Sequence, residues 1–273
     1  MTAANISPVE VLEGDSPIVL GLPHTGTYLP PEIMADLNAR GQMLEDTDWH
    51  IHQLYDGLLA GATTVRATFH RYVIDANRDP EGTSLYPGQN TTGLVPETDF
   101  DGVSIWRQGE EPTSEDIADR LAGFHQPYHA ALKAEIERVK ALHGVAVLYD
   151  CHSIRSLIPF LFEGPLPDFN IGTDMGRTCD ARIEKAAAEI AGRAEGYTSV
   201  VNGRFKGGWT TRHYGRPETK QHLVRMPPDG VADSWQQDPA IELCQPAQHG
   251  QGREEGPEQE ERPKPEAEQR NDF

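Results

Sequence analysis

Histidines and carboxylates occur together in three separate segments of this sequence. His24 follows the apolar run in SPIVLGLPH, Asp46 and Asp48 lie in LEDTDWHIH, and His152 follows the apolar run in GVAVLYDCHS. Neutral imidazoles and carboxylates are the ligands that a catalytic zinc ion takes in proteins. A single histidine at a strand end is more often a hydrogen-bonded structural residue. The combination of three such segments makes a metal site and a set of structural histidines two open alternatives.

A second group of residues could hold an anionic substrate. The segment RYVIDANRDP contains Arg71, Asn77 and Arg78, and a planar guanidinium pairs with a carboxylate through two parallel hydrogen bonds. The competing interpretation is a surface ion pair between Arg78 and one of its neighbours, Asp75 or Asp79. Taken alone, the segment would favour that ion pair.

A glycine-rich segment near residue 207 is the third candidate. VVNGRFKGGWTTRHYG carries Arg204, Lys206 and Arg212 among closely spaced glycines. In so acidic a chain, a loop of this kind suggests a clamp for an anion. A flexible hairpin without a ligand is the alternative.

Two further patterns favour structural roles. His125 and His129 in HQPYH are four apart on a predicted helix, but the glutamate that follows the first histidine in the HExxH zinc motif is missing. We expect these histidines to lie on a packed or solvated helix face. Cys151, beside His152, is expected to pack in a strand and not to act as a nucleophile.

The elements that must position these residues alternate between strands and helices. Strands are predicted at VEVLE, SPIVLGLPH, TVRATFH, RYVIDANRDP and GVAVLYD, and shorter helices around PPEIMADLNARG and WHIHQLYDGLLAGA. Residues 81–112 are predicted to form a long ordered loop. A long helix from Thr113 or Ser114 to Gly144 leads directly into a strand, and DARIEKAAAEIAGRAEG predicts another helix that ends at Gly196.

This order is typical of an α/β fold. Ligands of such folds bind at the carboxyl ends of parallel strands. Asp150 and His152 are two residues apart, so on a strand they would point to the same side.

Composition excludes several classes of partner. The formal charge is −19, with 43 acidic and 24 basic residues, which argues against nucleic acid or an anionic membrane as partner. The three cysteines contain no CxxC pair, so neither a disulfide framework nor a thiolate zinc site is expected. The sequence has no apolar run of about 18 residues, and its start lacks a signal-peptide pattern. A soluble, cytoplasmic protein is the expectation.

The last part of the chain differs in composition from the rest. From residue 246 to residue 272 there is no Val, Ile, Leu, Met or aromatic residue, so little apolar surface could be buried to offset the entropy of ordering. We expect a folded domain over residues 1–228 and a disordered polar tail over residues 229–273.

Seven segments together resemble the N-formylglutamate amidohydrolase, or deformylase, family. They are PHTGTYLP, DTDWHIHQLYD, RYVIDANRDP, LYPGQNTTGLVP, DCHSIRS, FNIGTDMGRTC and VVNGRFKGGWTTRHYG, and the resemblance covers residues 5–226. It implies hydrolysis of N-formyl-L-glutamate to formate and L-glutamate in histidine degradation. It also implies a mixed, largely parallel sheet flanked by helices, related to zinc carboxypeptidases and aspartoacylase.

The resemblance also implies roles for particular residues. His24 and His152 become zinc ligands, with Asp46 or Asp48 as the third. The substrate α-carboxylate would be held by the three polar residues of one segment, Arg71, Asn77 and Arg78. Charge alone suggests that the glutamate side chain faces Arg204, Lys206 or Arg212.

The chain departs from the family after residue 226. The family continues there with a strand of the type His-Ala-X-Gln-X-Glu-Leu-Ala, whose glutamate is the expected general base, whereas this chain reads QHLVRMPPDG with Pro227 at the glutamate position. Reduced activity is therefore expected. Two alternatives stay open: an inactive relative that binds zinc or N-acyl amino acids, and a zinc enzyme for another N-acyl amino acid or a peptide end.

Overall fold

A mixed sheet of five strands organises the described part of the chain, residues 6–84 and 88–226 of the computed structural model. The strands are β1 (Val9–Leu12), β2 (Ile18–Leu22), β3 (Thr63–Ala67), β4 (Ala146–Cys151) and β7 (Gln221–Met226). Their spatial order is β1-β3-β2-β4-β7, with β1 antiparallel to β3 and all other neighbours parallel. The short strands β5 (Phe169–Ile171) and β6 (Ser199–Val201) form a separate parallel pair. The predicted α/β fold with a mixed, largely parallel sheet is confirmed.

Strands β2 and β4 lie side by side within the sheet because their apolar runs can be buried on both faces. Val19, Leu22 and Leu148 are each at most 1% exposed. The two strands pair in parallel with Gly21 opposite Asp150. Their carboxyl ends therefore reach the same edge of the sheet, where His24 and His152 follow.

Six α-helices accompany the sheet in the described residues: α1 (Pro31–Asp36), α2 (Ile51–Tyr55), α3 (Ser114–Arg120), α4 (Gln126–His143), α5 (Ala181–Ala191) and α6 (Trp209–Tyr214). Single 3₁₀ turns span Gly41–Met43 and Pro217–Thr219, and a π-helical turn spans Leu121–His125. Helix α4 buries Leu132, Ile136 and Val139, at the three- and four-residue spacing that gives a helix one apolar face.

The long helical pattern before β4 forms as predicted, with an added π turn between α3 and α4. Thr113 caps α3: its side chain accepts a hydrogen bond from the Asp116 N–H, and the Asp116 carboxylate accepts one from the Thr113 N–H. Helix α4 ends at Gly144, whose φ of +71° is a conformation that glycine adopts without strain.

Three predictions about the elements are corrected. The segment RYVIDANRDP is not a strand; the chain turns there, with Val73 N–H bonded to His70 O and Asp75 N–H bonded to Leu94 O. Helix α2 is only five residues long. Helix α5 ends at Ala191 and not at Gly196, because Gly192 interrupts the helical sequence.

The long loop is confirmed, since residues 81–84 and 88–112 contain no helix and no strand of the named set. No helix in the described part of the chain combines the length and apolar character needed to cross a bilayer. Pro227 and the predicted tail, residues 229–273, lie outside the described residues.

Candidate metal centre and substrate cavity

Three predicted ligands meet at the carboxyl ends of β2 and β4. His24 and His152 arrive on the two neighbouring strands, while Asp48 lies in the loop before α2, where its N–H donates to His24 O at 3.0 Å. All three side chains are almost fully buried, with exposures of 3% or less. Their donor atoms lie within 4.8 Å of one another.

The two imidazoles turn the same nitrogen towards each other. Nδ1 of His24 is 3.2 Å from Nδ1 of His152, and the Asp48 Oδ2 atom lies 3.7 and 2.9 Å from these nitrogens. On the outer side, His24 Nε2 is 2.6 Å from Asp75 Oδ1 and His152 Nε2 is 3.1 Å from Asp150 Oδ2. An ionised carboxylate can only accept, so the Asp75 contact favours a proton on His24 Nε2. Nε2 of His152 lies 3.1 Å from the Asn77 side-chain amide as well as from Asp150, and its Nδ1 faces the Asp48 carboxylate.

Two imidazole nitrogens and a carboxylate oxygen converge on one point, where a bound cation would contact all three. A zinc ion binds imidazole nitrogen at about 2.0–2.1 Å, which puts two ligands of a tetrahedron about 3.3–3.4 Å apart. The Nδ1–Nδ1 distance of 3.2 Å is close to that value. His24, Asp48 and His152 therefore form a donor set that can hold a zinc ion.

The carboxylates around this centre are held in their charged form. Burial opposes ionisation of Asp48, but the charge of Arg71 and hydrogen bonds from His152 and His24 outweigh it and keep the Asp48 pKa well below its usual range. Burial likewise opposes ionisation of Asp75, and Arg78 and His24 keep the Asp75 pKa low. An anionic Asp48 is the form that a metal ligand requires.

Asp46, the other predicted candidate for third ligand, lies outside this cluster. Its carboxylate accepts hydrogen bonds from the Tyr72 hydroxyl at 2.9 Å and from Phe100 N–H at 3.0 Å. Burial raises the pKa of Asp46 to about 6, against the lowering effects of Arg71 and Tyr72. Asp46 thus connects the long loop to the core. Of the two candidates for third ligand, only Asp48 lies next to the histidines.

A cavity of about 260 Å³ opens beside His24 and His152. Its volume is slightly below the roughly 300–1,000 Å³ that is usual for drug-sized ligands, so a small metabolite would fill it. Among the described residues its wall includes both histidines, two aromatic rings and several cationic or amide side chains: His24, His152, Phe100, Phe205, Arg71, Asn77, Arg78, Arg204 and Arg225.

Two of the predicted anion-binding arginines border this cavity near the metal donors. Arg71 donates to Asp48 Oδ1 at 3.0 Å and stacks over the Phe100 ring, while its Nε–H has no hydrogen-bond partner among the described residues. Arg78 is already engaged: it donates to Thr92 O and Thr92 Oγ1, both at 2.8 Å. Arg71 is therefore the stronger candidate for direct contact with a carboxylate.

The glycine-rich segment contributes fewer cavity residues than predicted. Arg204 lines the cavity, but neither Lys206 nor Arg212 does so as the described residues bound it. Arg212 forms an ion pair with Asp174 at 3.2 Å, and Lys206 is exposed. Arg225, on β7, also lines the cavity, although the sequence gives no sign of this role. Its guanidinium lies 5.1 Å from the centroid of the Phe205 ring.

Comparison with known proteins identifies the family. A sequence model of the N-formylglutamate amidohydrolase family matches residues 16–227. The chain is 46% identical over 214 residues to N-formylglutamate deformylase of Pseudomonas aeruginosa, covering 78% of this chain and 80% of the relative. The chain belongs to the N-formylglutamate amidohydrolase family. The resemblance stated from its motifs is confirmed, and the protein is an amidohydrolase by descent.

Further relatives agree with this membership. N-formylglutamate deformylase of Pseudomonas putida is 43% identical over 215 residues, with 78% of this chain and 80% of the relative covered. The crystal structure of N-formylglutamate amidohydrolase from Ralstonia eutropha superposes with a TM-score of 0.68 at 26% identity, over 82% of this chain and 86% of that chain. A gene product of Agrobacterium tumefaciens shares the fold with a TM-score of 0.55 at 19% identity, over the same two shares.

Sequence analysis missed one residue of the site besides Arg225. The sequence gives Asp75 only as an ion-pair partner of Arg78, yet in the structure Asp75 accepts from His24 Nε2 and from Asn77 N–H, the latter at 2.8 Å. The signal was its position two residues before Asn77, where an aspartate commonly bonds to a backbone N–H two residues on.

Proposed function

We propose that this amidohydrolase cleaves N-formyl-L-glutamate to formate and L-glutamate with a zinc ion held by His24, Asp48 and His152. The observation that carries the proposal is a buried cluster of two imidazoles and one carboxylate that borders a small cavity with cationic walls. The names of the relatives support the same substrate. Histidine degradation in the cytoplasm is the setting that we propose for it.

The chain's own residues prepare the centre for a metal. Asp75 accepts from His24 Nε2 at 2.6 Å, and Asp150 lies 3.1 Å from His152 Nε2, so with a metal bound each inner nitrogen could offer its lone pair as a ligand. A zinc ion bound there supplies Lewis-acid polarisation of an amide carbonyl and lowers the pKa of water. Arg71, bonded to Asp48, keeps the third ligand anionic.

The distribution of cations fits a substrate with two carboxylates. Arg71, next to Asp48, would bind the α-carboxylate, and the Asn77–Arg78 pair would complete that side of the cavity. Arg204 and Arg225 stack over Phe205, at 5.3 and 5.1 Å from the ring centroid. We assign the side-chain carboxylate to this pair, because charge-assisted bonds to guanidinium are the strongest neutral-pH contacts available to it.

The direct test is formate release by purified protein loaded with zinc. We expect N-formylglutamate to be cleaved with a higher kcat/KM than N-formylglutamine or N-formyl-4-aminobutyrate, which lack the side-chain and the α-carboxylate charge respectively. A lost charge-assisted contact costs about 1.5–3 kcal/mol, which corresponds to roughly ten- to a hundred-fold. Equal rates for all three compounds would remove the proposed substrate.

The position of the general base calls for a second experiment. Pro227 stands where the family resemblance implies a glutamate, and general acid–base catalysis is commonly worth about 10²–10⁴-fold. We therefore expect a variant whose chain continues after Met226 with the family-like Glu-Leu-Ala sequence to exceed the natural chain by that factor in kcat. Equal turnover at equal zinc occupancy would show that the base lies elsewhere.

A second candidate function follows from the same proline. A relative without its base could bind zinc and N-acyl amino acids without cleaving them. Calorimetric binding of N-formylglutamate to the zinc-loaded chain, with no formate released over hours, would favour this function. Release of formate at a rate that depends on His152 and Asp48 would favour the enzyme.

A further inference from the structure

Two histidines outside the metal centre make contacts that a packed helix face does not require. The π turn Leu121–His125 leads into α4 and places His125 and His129 on one side of the helix, with ring centroids 4.4 Å apart. Insertions of this kind occur often at functional sites. Both rings face the segment that contains Asn77 and Arg78.

Each ring bonds to a backbone carbonyl of that segment. His129 Nε2 lies 2.8 Å from Ala76 O, and His125 Nε2 lies 3.2 Å from Arg78 O. Carbonyl oxygens only accept, so each histidine must carry its proton on Nε2. On the other side of the ring, His129 Nδ1 is 3.0 Å from the Tyr214 hydroxyl.

These two carbonyls bracket the residues that present side chains to the cavity. Ala76–Arg78 has no helix or strand to satisfy its backbone groups, and buried carbonyls need donors from elsewhere. The Asn77 side chain is fixed separately, because its Oδ1 accepts from Thr210 N–H on α6 at 3.0 Å. The segment is thus held through its backbone carbonyls by the π turn and α4, and through Asn77 Oδ1 by α6.

Trp209, the first residue of α6, packs against the two histidines of the π turn and α4. Its ring packs against His129 with centroids 4.9 Å apart and against His125 at 5.7 Å. Gly208, the residue before it, approaches Asn77 so closely that a Cβ there would lie 2.4 Å from Asn77 Oδ1. A shift of the 76–78 backbone would therefore collide with the start of α6.

We propose that His129, assisted by His125, is a positioning residue that sets the Asn77–Arg78 segment for binding of the substrate carboxylate. This inference rests on the proposed function, because it assigns the segment to N-formylglutamate. The effect on substrate binding depends on the hydrogen bonds to the two carbonyls and not on the volume of the rings. Glutamine can carry a donor at the distance of Nε2, whereas leucine fills similar space without one.

The test compares His129→Gln with His129→Leu, and uses His143→Leu, at the exposed end of the same helix, as the matched control. We expect His129→Leu to weaken N-formylglutamate binding and to raise KM by roughly 5- to 100-fold, the range for a buried acceptor left unpaired, with a smaller change in kcat. His129→Gln should recover most of the affinity, and His143→Leu should match the natural chain. Equal losses in the Gln and Leu variants, or no loss in either, would overturn the proposal.

A second readout does not depend on catalysis. Nitrogen-15 NMR of the histidine rings in the natural chain should show His125 and His129 as neutral imidazoles protonated at Nε2. A proton on Nδ1 of His129 would overturn the proposal whether or not the chain is active. Absence of both N-formylglutamate binding and formate release, with the Nε2–H state intact, would instead overturn the proposed function and with it the assignment of the segment to that substrate.

Discussion

Two groups of three potential metal ligands occur in the described part of this chain, and they differ in what lies at their centre. One consists of His24, Asp48 and His152, and the other of Glu45, Asp99 and Asp101. In the acidic group the Arg40 guanidinium bonds to Asp99, bonds to Asp101 at 2.7 Å and lies 3.6 Å from Glu45. Among the described residues, no lysine or arginine lies between the facing donor atoms of the histidine group. Arg71 contacts only the other oxygen of Asp48, Oδ1.

The difference shows that proximity of donors does not by itself predict a metal. The acidic group already has a cation at its centre, because the Arg40 guanidinium contacts all three carboxylates. Asp99 also accepts from the N–H groups of Asp101 and Val103 at 3.0 Å each. The histidine group has two imidazole nitrogens and a carboxylate oxygen facing one another, with no lysine or arginine between them among the described residues. The protein's own counter-ions thus distinguish an ion-pair network from a candidate metal centre.

The largest expected effect is on zinc content. His152→Ala and Asp48→Ala should each lose most of the bound zinc, because each removes one of three protein ligands. Asp101→Ala should retain one zinc ion per chain. Elemental analysis after dialysis measures all three. Full zinc in His152→Ala, or zinc lost equally from Asp101→Ala, would reverse the assignment of the two groups.

Removal of the metal should also lower stability, by a smaller amount. A ligand present at about 1,000 times its Kd stabilises a folded protein by about 4 kcal/mol. A chelator should therefore lower the thermal midpoint of the natural chain. Asp48→Asn, which cannot complete the centre, serves as the control, and its midpoint should be insensitive to the chelator. An equal chelator effect on both proteins would contradict coupling through this centre.

The site could be predicted from the sequence only where a local pattern determines geometry. His24 and His152 were identifiable because each follows an apolar run, and the ends of neighbouring parallel strands converge. The sequence does not decide whether Asp46 or Asp48 is the third ligand. That choice depends on the course of the loop before α2, which is set by the bond from Asp48 N–H to His24 O and by the positive φ of 61° at His50.

Long-range pairing accounts for the other differences. Arg225 reaches the cavity because β7 pairs with β4, opposite Asp150, a contact that no local pattern records. The predicted strand RYVIDANRDP failed because alternation of apolar residues is also compatible with a buried chain of turns. There the Asp75 side chain accepts both from His24 Nε2 in the site and from the backbone N–H of Asn77.

Replacement of the central cation should distinguish the acidic group from the metal centre. Arg40→Met removes two charge-assisted bonds, but Asp99 keeps its two backbone donors, so we expect a loss of about 1–2 kcal/mol in the free energy of unfolding. The loss should shrink in 1 M salt, which screens exposed charges, and zinc content should not change. Urea denaturation at low and high salt measures it. Uptake of a second metal ion by Arg40→Met would show that the acidic group is a metal site closed by its arginine.

The same reasoning predicts the smallest effect, at Arg212. Asp174 already pairs with Arg212 at 3.2 Å and with Arg177 at 2.7 Å, so Arg212, like Arg40, belongs to an ion-pair network and not to the cavity wall. Arg212 is partly exposed, and Asp174 keeps Arg177 as a partner when Arg212 is removed, so we expect the pair to contribute roughly 1 kcal/mol or less. Arg212→Ala should therefore leave KM for N-formylglutamate within about two-fold, whereas Arg204→Ala, at the cavity wall, should raise KM about ten-fold or more. Steady-state kinetics on the two variants measure the contrast. If KM rises as much in Arg212→Ala as in Arg204→Ala, the glycine-rich segment must rearrange when the substrate binds. Pairing with a counter-ion in the free protein would then not exclude a residue from the site.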